Sequence, residues 1–70
     1  MKLHHYPETD SFYIELLTAL STETWAITGT LNIDFGVDGK VGIDIDHASK
    51  QLDLATLETS ALPFQALRAA

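Results

Sequence analysis

His4, His5 and His47 offer ring nitrogens, and Asp10 or Asp46 could supply carboxylate oxygens beside them, the donor set of a zinc-like site. Their spacing argues against one. Adjacent residues of an extended segment point to opposite faces, so His4 and His5 cannot both join a cluster. The helical and loop spacings usual for zinc ligands are also missing. Histidine is commonly a residue of intermediate burial with no ligand, and that reading is preferred here.

A second chemistry is acid–base or nucleophilic. Glu8 and Asp10 could form a carboxylate pair, and Ser11 or Ser49 could attack if a histidine lay within reach. Nothing in the chain fixes a base near either serine, and a core this small leaves no room for a deep pocket. Asp10 and Ser11 are better read as turn formers, and Ser49 as a strand end. Neither an enzyme nor a cofactor is expected.

The third constellation is Asp34, Asp44 and Asp46. They fall on the even positions of "WAITGTLNIDFGVDGKVGIDIDHAS", whose odd positions are almost all apolar. Such alternation is the mark of a half-buried antiparallel strand pair, one face apolar and one wet. The acidic face is either an ordinary solvated surface or a docking surface for a cationic partner. These three residues are the candidate partner-binding site.

Elements must position them. "KLHHY" and "FYIELL" read as a first hairpin across the turn "PETDS". Phe12, Ile14 and Leu16 share one face, while Tyr13, Glu15 and Leu17 share the other. From Trp25 to Val37 the pattern predicts one long strand, with Gly29 and Gly36 as points of bending. Trp25 continues its apolar stripe and is expected to pack in the core, while Tyr13 is the better aromatic for a contact beyond the sheet. A two-residue turn at Asp38-Gly39 would set Ile33 against Asp44, mixing the faces. A three-residue loop, Val37-Asp38-Gly39, sets Phe35 against Val41, Ile33 against Ile43 and Leu31 against Ile45. It also sets Asn32 against Asp44, Thr30 against Asp46, and Asp34 beside Gly42. Asp53 then serves as N-cap of a two-turn helix ended by Pro63. "ALPFQALRAA" shows no clear period and reads as a strand, an arm or a frayed tail.

Composition bounds the whole. Seventy residues make one domain, 1–70, and a chain this short has marginal stability. There is no cysteine, hence neither disulfide nor thiolate site. Lys and Arg number 4 against 10 Asp and Glu, a net charge of -6, which disfavours direct contact with nucleic acid or an anionic membrane. A basic protein partner is favoured instead. No apolar run approaches the roughly 20 residues of a membrane span, and the N-terminus lacks a signal peptide's apolar region, so the location expected is cytoplasmic.

Two pieces carry a resemblance. "PETDSFYI" resembles a Pro-Glu-x-Asp-x-aromatic/aliphatic-Tyr-Ile signature, and "GIDIDHAS" resembles a Gly-Ile-x-Ile-x-x-Ala-Ser signature. In that order, with an Asp-Gly turn between them, they are similar to the bacterial family called domain of unknown function 2283, over about Met1 to Leu52. The family tends to have Tyr-Asp before the proline, where this chain has His5-Tyr6. It also has one more residue between the turn glycine and the second glycine. The resemblance implies a small sheet protein with no catalytic residues to carry over, and a neutralising, antitoxin-like role.

The expected architecture is α+β: a four-stranded, mainly antiparallel β-meander over the core 1–52, then a short C-terminal helix and arm over 53–70. One short helix cannot cover a four-stranded apolar face, so a homodimer is expected through sheet faces or C-terminal arms. The expected function is a small acidic protein-interaction module. The alternative is a small-ligand or metal-binding protein using His and Asp side chains.

Overall fold

The computed structural model describes residues 1–63. Five strands form one antiparallel sheet: β1 (Lys2–Tyr6), β2 (Ser11–Glu15), β3 (Glu23–Ala26), β4 (Leu31–Gly36) and β5 (Gly39–Ile45), followed by one helical turn, α1 (Ala48–Gln51). Their order across the sheet is β1-β2-β5-β4-β3. The predicted first hairpin, with β1 at an edge, is present.

Two expectations about the sheet are corrected: it has five strands, not four, and it is not a simple meander. The stretch from Trp25 to Val37 is not one strand. It folds back at Thr28-Gly29-Thr30, where the Ile27 and Thr28 amides both donate to the Leu31 carbonyl at 2.9 and 3.2 Å. Trp25 thereby pairs with Ile33. An odd-numbered loop keeps odd residues on one face in both strands, so the alternation runs through the turn undisturbed.

The meander fails because β2 pairs with β5 rather than β3. The connection Leu16–Thr22 must therefore pass the ends of β5 and β4. It is tied down along the way: the Leu16 and Leu17 amides donate to the Val41 carbonyl, and the Thr22 amide to that of Phe35 at 2.8 Å.

The β4–β5 register agrees with the parity argument where it matters most. Leu31 faces Ile45, Ile33 faces Ile43, Asn32 faces Asp44, and Asp34 faces Gly42. The turn itself differs. Gly36 pairs with Gly39 and Phe35 with Lys40, so the tip is Val37-Asp38 and the extra residue is Val41. The crossing connection draws the bulge to Val41 by engaging its carbonyl, and Val41 is 4% exposed. Gly39 does take positive φ, at 129°.

Directly paired residues share a face, so the registers spell out rows across the sheet. Leu3, Ile14, Ile43, Ile33 and Trp25 form one row, and His5, Phe12, Ile45 and Leu31 another. The opposite face carries the rows Lys2, Glu15, Gly42, Asp34, Thr24 and His4, Tyr13, Asp44, Asn32, Ala26. Trp25 lies at an edge. It packs on Phe35 with ring centroids 4.8 Å apart but stays 52% exposed, so it is not the core residue its stripe predicts.

The C-terminal helix is also corrected. Asp53 does act as a cap, but of a turn: its carboxylate accepts from the Ala55 amide at 3.0 Å and the Thr56 hydroxyl at 2.7 Å. Local bonds of this kind compete with helix, and two turns without packing are too short to persist. The only helical turn among the described residues is α1, and the arm from Phe64 onward lies outside them. Among the described residues no helix is long and apolar enough to cross a membrane.

Candidate functional site

Asp34 and Asp44 share a face, Asp46 follows just beyond the end of β5, and the three differ in how free they are. Asp34 on β4 is engaged from both sides. The Tyr13 hydroxyl donates to one oxygen at 2.9 Å and the Thr24 hydroxyl to the other at 2.6 Å. Tyr13 sits on β2, two strands away, and reaches Asp34 by lying across β5 at Gly42. A Cβ at Gly42 would fall inside the phenol, so only glycine leaves the path open. Burial, then the Asp34 bond and the charges of Asp34, Glu15 and Asp44, push the Tyr13 hydroxyl up to about 12.

Asp44 and Asp46 are the freer pair. Burial raises the Asp44 carboxyl above the ordinary value, the Asp46 and Asp34 charges raise it further, and a hydrogen bond with Asn32 opposes them. Asp46 lies just beyond β5, where its amide donates to the Thr30 carbonyl at 2.8 Å, as the predicted Thr30–Asp46 pairing requires. Alternation places Tyr13 on this face but does not reveal that it seizes Asp34. The available signal was Gly42, a glycine within a strand, which marks a close approach.

The histidines are dispersed. His4 stands beside Tyr13 on the polar face, its ring 6.5 Å from the phenol, and His5 lies by Phe12 on the apolar face. His47 takes positive φ, 53°, just before α1. Among the described residues no three His, Asp or Glu side chains are grouped so as to hold a metal ion. Two hollows are shallow, one of about 210 Å³ near Leu17, Leu20 and Val37 and one of about 390 Å³ under the His5–Thr9 turn. Neither reaches Asp34, Asp44 or Asp46.

Asp10 and Ser49, both candidates for chemistry by residue type, meet 39 positions apart in sequence. Asp10 adopts φ of 52°, and its carbonyl accepts from the Ala48 amide at 2.8 Å. One carboxylate oxygen accepts from the Ser49 amide at 3.1 Å and the other from the Ser49 hydroxyl at 2.7 Å. The Ser49 bonds, joined by the His5 and His47 charges, hold the Asp10 carboxyl below its ordinary value. With its proton directed at Asp10, the Ser49 hydroxyl acts as a fastener between the two segments. Asp10 fastens the β1–β2 turn to the start of α1, where Ala48 is completely buried.

The two sequence signatures thus touch twice. Asp10 of the first meets Ala48 and Ser49 of the second, and Tyr13 of the first lies across Gly42 of the second. Their residues lock β2 to β5. Beyond that internal logic, neither family models, curated proteins nor solved structures gave a match to this chain.

Proposed function

We propose that this chain is a small acidic protein-interaction module, homodimeric, that docks a basic protein on the face carrying Asp34, Asp44 and Asp46 and neutralises it in the manner of an antitoxin. The supporting observation is that Asp34 and Asp44 lie in adjacent rows of one sheet face, with Asp46 just beyond the end of β5, and that the one Lys or Arg in those two rows is Lys2 at the far edge. Burial and, after it, the charges of Asp46 and Asp34 raise the Asp44 carboxyl above its ordinary value. A guanidinium or ammonium group placed among the three relieves the repulsion between their charges, and the net charge of -6 draws such a partner in from a distance. Catalysis forms no part of the proposal.

The test replaces Asp34, Asp44 and Asp46 together by Asn and measures binding to the basic product of an adjacent reading frame at low and moderate salt. The expected result is an intact fold, slower association and a flatter salt dependence. Equal binding by both proteins overturns the proposal and reduces the face to a solvated surface.

A further inference from the structure

We infer that the apolar face of the sheet is closed by the same face of a second copy, and that the resulting two-layer sandwich turns one acidic face outward on each side. The stacking stands on packing alone. The bivalence it creates, two docking faces back to back for two cationic partners, rests on the function proposed above.

A sheet with one apolar face needs a second layer. Here none is supplied by the described residues. In the row Leu3–Ile14–Ile43–Ile33–Trp25, even the central Ile43 is only half-buried. Among the described residues the buried hydrophobic side chains are Val41 and Ala48, and neither belongs to that row. The single turn α1 is too small to be a layer, and residues 53–63 are exposed.

Area and charge identify the occupant. The chain's accessible surface of 5631 Å² exceeds by about 1,300 Å² the roughly 4,300 Å² expected of a folded monomer of 7.7 kDa. The exposed residues 53–63 contribute to that excess alongside the open sheet face. One side of a standard interface hides about 800 Å², which is the scale required. The two central apolar rows contain no carboxylate or ammonium group, and the Phe35 row beside them carries Glu23 and Lys40, opposite charges that can pair across a two-fold axis. Copies carrying a charge of -6 should repel. Stacking on this face alone puts every carboxylate of the acidic trio on the outside. The stacked sheets themselves lie about 10 Å apart, so the outward carboxylates are separated by more than the Debye length of about 8 Å at physiological salt. A foreign cover must be present whenever the chain folds. A second copy always is.

Sedimentation across nanomolar to micromolar concentrations tests the stacking, with emission from Trp25, the single tryptophan, read in parallel. The expected result is a dimer whose formation shifts the emission to the blue and reduces quenching by acrylamide several-fold. Ile43→Glu should raise the dimer dissociation constant at least a hundredfold, or unfold the chain. The wild-type dilution series needs no variant, so misfolding of Ile43→Glu leaves the test intact. A folded wild-type monomer throughout the range, or a dimer with unchanged Trp25 emission and quenching, overturns the stacking. Titration with an oligo-arginine peptide then tests bivalence, with two peptides per dimer expected. A dimer that binds none removes the acidic-face reading but leaves the stacking in place; a monomer that binds the peptide does the reverse.

Discussion

The two faces of this sheet differ in how far the chain completes them by itself. On the polar face, Tyr13 from β2 and Thr24 from β3 converge on Asp34 of β4, so side-chain bonds link strands across the plane. On the apolar face the rows are equally well registered, yet no described element lies over them. The difference follows from the interactions involved. Hydrogen bonds close between neighbours within one layer, whereas hydrophobic burial requires atoms above the layer. A polar face can therefore be finished within one layer, whereas an apolar one needs a second layer above it.

The largest expected effect lies on the unfinished face. Ile43 is central to its row, and its loss in a stacked dimer leaves a cavity. Ile43→Ala should therefore lower stability by about 3 kcal/mol per chain, the usual range for a buried Ile or Leu truncation being roughly 2–5 kcal/mol. Urea unfolding at a concentration well above dimer dissociation measures it. A loss below about 1 kcal/mol would mean the residue is as open in solution as in the single chain, and the contrast between faces would be one of composition only.

On the finished face the corresponding change adds volume instead of removing it. Gly42→Ala puts a methyl group where the Tyr13 phenol lies, forcing the ring off β5 and breaking its bond to Asp34. The expected loss is about 1–3 kcal/mol. In a Tyr13→Ala background the same substitution should cost much less, since the phenol is gone. A double-mutant cycle reads this coupling, and additive effects would show that Tyr13 does not lie across Gly42 in solution.

How much of this was legible in the sequence depended on whether a feature left a periodic trace. The faces did: alternation from Leu31 to Ile45 placed Asn32 against Asp44 and Ile33 against Ile43, as observed. The turn at Thr28-Gly29-Thr30 left none, because its length preserves parity, and so a strand was lost from the count. The bulge was expected from register conflict, but its position at Val41 is set by Leu16 and Leu17, which arrive from a distant connection. Asp53 carried a genuine capping signal that serves a turn as readily as a helix. The candidate trio was legible as a face. Its inequality was not, since the engagement of Asp34 depends on a tyrosine two strands away.

The hairpin tip offers a smaller test. Gly39 has φ of 129°, and a methyl group placed on its Cα would meet nothing within 4 Å, so only backbone strain opposes a side chain there. Gly39→Ala should cost about 1 kcal/mol, and Asp38→Ala less, by thermal or urea unfolding. Equal effects would place the strained residue elsewhere in the turn.

The smallest effect separates two carboxylates that the fold moves in opposite directions. Asp10 is held below its ordinary value by Ser49, so its contribution is present above that value and disappears as acid protonates it. Asp44 is held above its ordinary value, chiefly by burial and by the charge of Asp46. For a group shifted upward the stabilising form is the protonated one: the contribution is complete at pH below the unfolded value and vanishes as pH rises through the folded one. At neutral pH Asp44 is therefore a mild liability. Asp44→Asn removes its charge, and its side-chain oxygen can still accept from Asn32. It should raise stability by a few tenths of a kcal/mol at neutral pH, the scale of like-charge pairs on an exposed sheet face. The gain should shrink toward zero near about pH 3, where the wild-type carboxyl is itself protonated. Melting temperatures of the two proteins at both pH values decide the matter. A variant less stable than wild type at neutral pH would show that the Asp44 charge is already compensated within the chain, leaving Asp46 as the one carboxylate of the trio open to a cationic partner.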